Sequence, residues 1–181
     1  MKNQSLFRYA GITAIISAVF YVASFVALIA GANAVGTPLY WLSSILLVVA
    51  LVALYVDLRA EAATPALAAF ILLTGTTVWS LFIDTSLMSP MIAFLAIAYG
   101  IGSILFGWLQ RRSDHHPSGL GNLALATGAL ALLGGILVLA GAGADTFGLI
   151  NLVLSVPFVI WCVWLGILYL KGQPAAVSQT A

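Results

Sequence analysis

Charged residues divide this chain into long, mostly apolar stretches. A run of 48 residues without a charge separates Arg8 from Asp57, and four further uncharged runs follow. These later runs cover residues 62–83, 85–110, 115–144 and 146–170. One helical crossing of a bilayer needs about 20 apolar residues. The first run is long enough for two crossings and each later run for one, which predicts an all-α, polytopic integral membrane protein with six transmembrane helices.

Turn signals set the predicted helix boundaries. The pairs Thr37-Pro38, Thr64-Pro65 and Ser89-Pro90 each open a new apolar run, and the segment from Gly31 to Gly36 is small and poor in helix formers. Proline directly after a Ser or Thr N-cap favours helix initiation. These signals predict a single six-helix transmembrane bundle over residues 1–171 and a short flexible tail over 172–181. The predicted spans are 9–30, 38–58, 65–83, 90–110, 119–140 and 146–170.

All basic residues fall on one side of this map. They are Lys2, Arg8, Arg59, Arg111, Arg112 and Lys171. Loops rich in Lys and Arg stay in the cytoplasm, so both termini are predicted to be cytoplasmic and the protein to be a multi-pass protein of the cell membrane. An alternative treats helix 1 as a signal peptide cleaved near Ala32-Asn33-Ala34. Its apolar run of about 20 residues exceeds the usual 7–15, so we favour a retained helix.

Aromatic residues agree with this arrangement. Trp41 and Trp79 lie near the predicted outer helix ends, whereas Tyr55, Trp108 and Tyr169 lie near the inner ends. Tyr and Trp prefer the boundary between hydrocarbon and headgroups. We therefore expect all five at the membrane interfaces.

Composition excludes several classes of protein. Hydrophobic residues make up 63% of the chain and charged residues only 6%, whereas a soluble domain has about 25% charged residues. Six basic and five acidic groups nearly cancel, so nucleic acid is not an expected partner. Intrinsic disorder, which needs low hydrophobicity and high net charge, is excluded as well.

Small residues predict how the helices pack. Gly121, Gly128 and Gly135 are spaced by seven in helix 5, with Ala124 and Ala131 between them. Small residues let transmembrane helices approach closely, so helix 5 is predicted to be central. Shorter stripes occur in helix 1 (Ala10, Ala14, Ser17, Ser24) and helix 4 (Gly100, Ser103, Gly107). Helix 2 has little polarity before its end and is expected to face lipid or a partner, and Pro157 predicts a kink in helix 6.

Ionisable residues are expected only near the water. Asp57 and Asp84 lie at predicted helix ends, and Glu61, Asp114 and Asp145 lie in loops. A carboxylate-coupled transporter, a retinal Schiff base on lysine and a haem ligated inside the bundle are thus disfavoured. His115 and His116 are predicted to lie in a solvated loop, and a metal or phosphate contact is the minor alternative. Cys162 is the only cysteine and is expected to pack as an apolar group, and no cofactor is predicted.

One group of polar side chains lies at similar predicted depth. Its members are Tyr21, Thr74, Thr76, Thr77, Tyr99, Ser103, Thr127, Ser155 and Trp161. Hydroxyl groups buried in lipid need partners, so we expect hydrogen bonds between helices. The functional alternative is a small pocket for a lipid, quinone or pigment. The candidate residues of that pocket are Tyr21, Thr77, Tyr99, Ser103 and Trp161.

The leading functional hypothesis is a non-catalytic integral membrane protein, an accessory, assembly or scaffolding subunit in contact with other membrane proteins. The alternative is a small transporter or binder of an apolar or amphipathic ligand. A third hypothesis is a membrane enzyme, which would need polar groups to converge at the cytoplasmic interface. Those groups would be Asp57, Glu61, Asp114, His115 and His116.

Overall fold

A computed structural model describes residues 2–82 and 90–172 of the chain. In these residues it contains six helices, and all six are long and apolar enough to cross a membrane. They are α1 (Lys2–Ile29), α2 (Asn33–Leu58), α3 (Ala63–Ser80), α4 (Pro90–Arg112), α5 (Ser118–Leu139) and α6 (Ala144–Leu170). The all-α fold class and the number of helices are thus confirmed for the described part of the chain. Asp84, Ser89 and residues 173–181 of the predicted tail lie outside it.

The proline signals predicted one helix start correctly and two wrongly, since α4 begins at Pro90 as expected, whereas α2 and α3 begin before their prolines. α2 begins at Asn33, so Pro38 lies inside the helix instead of at its first position. α3 begins at Ala63 after Ala62, which makes no side-chain cap hydrogen bond, so Thr64 is not the N-cap. A helix that starts earlier pairs more backbone N–H and C=O groups within itself. Proline at an early position therefore did not mark the first residue in either case.

Two glycines in left-handed conformation end helices. Gly31 has φ 76° and Gly141 has φ 92°. At the first turn the Ala32 N–H donates to the Ala27 carbonyl (2.8 Å), and at the second the Ala142 N–H donates to the Leu137 carbonyl (2.8 Å). This six-residue hydrogen bond defines the Schellman motif, which glycine favours because it has no Cβ atom. Both turns are tight, and the next helix follows within a few residues.

The chain divides into two compact units. The terminal unit consists of Met1–Asp57 and Val159–Ala181, and the middle unit consists of Leu58–Phe158. α6 contributes to both, and the division lies just beyond Pro157, which is inside that helix as expected. The single bundle over residues 1–171 and the kink at Pro157 stay predictions.

The terminal unit buries the small face of α1. Ala10, Ala14, Ser17 and Ser24 are all buried, as their spacing predicted. α2 differs from expectation, since most of its second half is buried or half-buried. The buried apolar residues there are Leu47, Ala50, Leu51, Ala53, Leu54 and Leu58. The expectation that α2 faces lipid or a partner fits its mostly exposed first half, with Trp41, Leu42 and Ile45. It is wrong for the second half, because an almost uniformly apolar sequence has no polar positions to distinguish its buried face from its exposed face.

In the middle unit, α5 packs its glycine stripe against α4. A Cβ atom placed on Gly128 would lie 2.6 Å from the carbonyl oxygen of Gly100, and one on Gly121 would lie 2.7 Å from that of Gly107. Such distances leave no room for a side chain, so the two backbones are in direct contact. The predicted close approach is confirmed. α4 also packs against α3, which places α4 between two partners.

The contact repeats every seven residues along both helices. Gly135 lies against Ala93, where an added Cβ atom would be 2.7 Å from the Ala93 carbonyl oxygen. Ala93, Gly100 and Gly107 in α4 therefore face the three stripe glycines in antiparallel order. A seven-residue repeat keeps one seam in contact over several turns when the helices supercoil. The sequence showed this period in α5, but Ala93 was not recognised as its counterpart in α4.

Candidate functional site

The five predicted pocket residues are divided between the units. Tyr21 and Trp161 belong to the terminal unit, and Thr77, Tyr99 and Ser103 belong to the middle unit. Trp161, Thr77 and Ser103 are buried, whereas Tyr21 and Tyr99 are half-buried. The pocket for a lipid, quinone or pigment stays a prediction.

Several hydroxyl groups of the predicted polar cluster hydrogen-bond within their own helices. Thr76 donates to the Leu72 carbonyl (2.7 Å), and Thr127 donates to the Leu123 carbonyl (2.9 Å). Ser155 likewise reaches back four residues along α6, at 2.6 Å. A Ser or Thr hydroxyl in a helix can always reach the carbonyl of the preceding turn. The expectation of bonds between helices is therefore wrong for Thr76 and Thr127.

Ser17 and Ser43 make hydrogen bonds that connect two helices. The Ser17 hydroxyl donates to the Ser43 carbonyl (2.9 Å), and the Ser43 hydroxyl donates to the Ser17 carbonyl (3.0 Å). Their Oγ atoms lie 3.3 Å apart, and both residues are buried. This reciprocal pair links α1 to α2. The small-residue stripe of α1 identified Ser17, but nothing in α2 singled out Ser43 over its neighbour Ser44.

The burial of a carboxyl group is the main feature of the candidate sites that the sequence did not predict. Asp57 is the last but one residue of α2, as predicted, yet it is only 5% exposed. The Tyr169 hydroxyl of α6 lies 3.4 Å from its Oδ2 atom and donates to it. Tyr169 itself is 1% exposed, so its side chain is covered by neighbouring residues, and its interfacial depth stays a prediction. Carboxylates are almost never fully buried unless a partner compensates for the lost water.

The approach of α1 to α6 explains why Tyr169 is buried. A Cβ atom on Gly11 would lie 2.8 Å from the Gly166 carbonyl oxygen, so the two backbones touch. Phe7 precedes Gly11 by one helical turn, and Tyr169 follows Gly166 by almost one turn, so their rings meet at 5.2 Å between centroids. The helical spacing from Gly166 to Tyr169 was the available signal. It becomes informative only once α1 is known to be the partner of α6.

The C-terminal end of α4 carries a second polar group. The Arg112 guanidinium carbon lies 4.7 Å from the centre of the Trp108 ring, a cation–π geometry, and Trp108 is 40% exposed. The side-chain stem of Arg111 covers Gly121, where an added Cβ atom would be 2.5 Å from Arg111 Cγ. Both guanidinium-bearing residues are exposed. The interfacial depth of Trp108 stays a prediction.

The histidine loop after α4 is less solvated than expected. Asp114 is exposed, but His115 is half-buried and His116 is buried. Among the residues that the structure describes, no group of three or more His, Cys, Asp or Glu side chains could hold a metal ion. Of the residues considered for an enzyme, Asp57 belongs to the terminal unit, whereas Glu61 and the histidine loop belong to the middle unit.

Two polar sites are therefore considered further for function. One is the pair Asp57 and Tyr169, and the other is the pair Arg111 and Arg112 at the end of α4. Comparisons of this chain with models of protein families, with curated proteins and with solved structures gave no match.

Proposed function

We propose that this chain is a six-helix integral protein of the cell membrane with both termini in the cytoplasm, and that it acts as a non-catalytic accessory, assembly or scaffolding subunit. The observation that carries the proposal is the contrast between its surfaces and its polar groups. Large apolar side chains are exposed on every helix, whereas hydroxyls such as those of Thr76, Thr127 and Ser155 are bonded to their own backbone. Such a molecule offers neighbours its apolar faces.

The face of α1 opposite its small residues illustrates this surface. Between residues 12 and 26, every exposed side chain of this helix is β-branched and aliphatic. They are Ile12, Ile16, Val19, Val22 and Val26. Val and Ile side chains have one preferred χ1 rotamer in a helix, so little side-chain entropy is lost when they pack against another helix.

The positions of the basic residues support the proposed orientation. Arg59 follows α2 directly, Arg111 and Arg112 end α4, and Lys171 follows α6. Arg8 lies two turns into α1, but that helix has 28 residues, or about 42 Å at 1.5 Å per residue. A helix of that length exceeds the hydrocarbon thickness of about 30 Å, so an exposed Arg8 can remain at headgroup level.

The orientation is tested by labelling single introduced cysteines in a Cys162→Ala background. We expect Ala32→Cys to react with a membrane-impermeant maleimide in intact cells. Ala60→Cys, in the turn between α2 and α3, should react only after permeabilisation. Labelling of Ala60→Cys in intact cells at the rate of Ala32→Cys contradicts the proposed topology.

The subunit proposal is tested by substitution of exposed residues. We expect Val19→Trp together with Val22→Trp to remove a defined co-purifying membrane protein while the chain keeps its thermal stability in detergent. A matched double substitution on another exposed face, Leu149→Trp with Leu152→Trp, serves as control. A chain that purifies alone from native membranes under several mild detergents contradicts the proposal.

Asp57 and Tyr169 favour the second candidate function, a small transporter or binder of an apolar or amphipathic ligand. Ionisable groups inside membrane spans often mark ligand or ion pathways, and a carboxyl–phenol pair provides a polar contact for a ligand headgroup. Under this candidate, Tyr169→Phe abolishes uptake or binding while assembly with other proteins is unaffected. The opposite result favours the subunit proposal.

A further inference from the structure

We propose that the C-terminal end of α4 binds the phosphate of an anionic phospholipid headgroup through Arg111 and Arg112. The inference rests on the proposed membrane insertion, which brings the end of α4 to headgroup level. It goes beyond that proposal in assigning a ligand class and the residues that hold it. Three features of the described residues carry it.

The first feature is the anchoring of Arg112 on an aromatic ring. Arg112 follows Trp108 by four residues, and its guanidinium carbon lies 4.7 Å from the ring centre. Stacking occupies only the face of the guanidinium, so the N–H groups around its edge stay available as donors. Trp side chains prefer the interface between hydrocarbon and headgroups. The ring therefore holds the donors of Arg112 at the depth where lipid phosphates lie.

The second feature is the groove that Gly121 provides for Arg111. In the α4–α5 contact, Ile97 lies over Gly135 and Ile104 lies over Gly128. Arg111 takes the next position in this seven-residue series, over Gly121. Its aliphatic stem thus fills the place of an isoleucine, while the residue remains exposed. A side chain whose stem packs and whose charged end reaches water is pre-positioned to bind an anion at the helix end.

The third feature is the charge balance around the two arginines. Within residues 2–82 and 90–172, neither Arg111 nor Arg112 forms an ion pair with a carboxylate. Asp114 is the acidic residue closest in sequence, and it is exposed. Guanidinium groups match phosphate oxygens with paired N–H donors. Two adjacent guanidiniums without an internal counter-ion therefore favour a ligand that supplies a phosphate with net negative charge.

The test measures lipid affinity by native mass spectrometry of the purified full chain in detergent. Phosphatidylglycerol and phosphatidylcholine are titrated separately, and the dissociation constant of the first bound lipid is determined for each. We expect the chain to bind phosphatidylglycerol more tightly. A basic residue near the headgroups contributes about fivefold in affinity for anionic lipid. Arg111→Gln with Arg112→Gln should therefore weaken phosphatidylglycerol binding by about 25-fold and leave phosphatidylcholine binding nearly unchanged.

The matched control removes two charges elsewhere. Arg8→Gln with Arg59→Gln changes the net charge equally and alters two exposed arginines outside the proposed site, and we expect a clearly smaller loss of affinity than for the α4 pair. Asp114→Asn should tighten phosphatidylglycerol binding, a direction that damage to the fold does not produce. If the control pair weakens binding as much as the α4 pair, a diffuse positive field explains the preference, and the site assignment is overturned.

Further measurements separate the remaining explanations. Inorganic phosphate in large excess should displace little phosphatidylglycerol, and complete displacement assigns the site to free phosphate instead of lipid. If the double variant fails to fold, Arg112→Gln alone leaves the Arg111–Gly121 contact intact and should cost about fivefold. A chain that alkaline carbonate extracts from vesicles contradicts the proposed membrane insertion. An inserted chain without phosphatidylglycerol preference overturns the lipid site alone.

Discussion

The two units hold their helices together by different means. In the terminal unit, polar side chains connect neighbouring helices, with Ser17 bonded to Ser43 and Tyr169 bonded to Asp57. In the middle unit, the long contact between α4 and α5 consists of glycine and alanine backbones that touch, as at Gly128 and Gly100. The terminal unit also has one close backbone contact, between Gly11 and Gly166.

The difference shows two solutions to one physical problem. If the helices lie in lipid, apolar side chains gain little by leaving it, so association needs either close van der Waals contact or hydrogen bonds. Close contact relies on shape and fails when a side chain is added. Hydrogen bonds rely on particular atoms and fail when one is removed. Substitutions in the two units should therefore differ in both size and kind.

The largest effect is expected from adding a side chain to the α4–α5 contact. Gly128→Leu forces apart backbones that leave only 2.6 Å for a Cβ atom, and we expect a loss of about 3 kcal/mol in the free energy of unfolding. The exposed neighbour Ala129→Leu is the control and should change it by less than about 0.5 kcal/mol. Reversible unfolding in detergent measures both. Equal stability of the two variants contradicts the glycine contact.

A smaller loss is expected at the buried carboxyl group. Tyr169→Phe removes the donor 3.4 Å from Asp57 and should destabilise the chain by about 1.5 kcal/mol, since it leaves a buried polar group less well satisfied. In a double-mutant cycle with Asp57→Asn, a coupling energy of about 1 kcal/mol is expected. Tyr9→Phe, at an exposed position, should have no effect. Full additivity of Tyr169→Phe and Asp57→Asn shows that the two groups do not interact.

The serine pair should contribute less again. Ser43→Ala removes one donor of the reciprocal α1–α2 pair, and polar contacts between membrane helices average about 0.6 kcal/mol. Ser24→Ala is the matched control, because its hydroxyl bonds to the Tyr21 carbonyl of its own helix. We expect the control to be close to neutral in the same unfolding assay. A larger loss for Ser24→Ala than for Ser43→Ala contradicts the role of the pair.

The smallest effect is expected where a hydroxyl bonds to its own helix. Thr127→Val keeps the shape of a buried side chain and removes only the bond to the Leu123 carbonyl, which still accepts its helical backbone bond. The free energy of unfolding should change by less than about 0.5 kcal/mol. A larger loss in the free energy of unfolding than for Ser43→Ala means that Thr127 forms contacts between helices. The predicted polar cluster would then again be a candidate binding site.

The sequence predicted the helix faces well where small residues mark them. The stripes of α1 and α5 are buried as expected, because glycine, alanine and serine stand out against large aliphatic residues. α2 shows the opposite case. Its run of leucine, valine and alanine carries no contrast between faces, so the burial of residues such as Leu51 and Leu54 was not foreseen.

The candidate sites were harder to predict than the fold. Asp57 was correctly placed at a helix end, but a position along the chain does not tell whether that end is covered by another helix. Tyr169 lies near the end of its apolar run, where a tyrosine is expected at the membrane interface. Only the approach of α1 to α6 at Gly11 and Gly166 shows that its ring and hydroxyl are buried.

Hydropathy and the spacing of charges can be read along the chain without any knowledge of its fold. By themselves they determined that this chain forms six apolar helices, and that its basic residues lie near the start of the first helix and near the ends of the second, fourth and sixth. Other features depend on distances between residues that are far apart in the chain. These are the backbone group to which a hydroxyl bonds, the carboxyl group that is shielded from water and the arginine that lies over a glycine. Those distances exist only after the helices have packed, so the tertiary structure alone decided them.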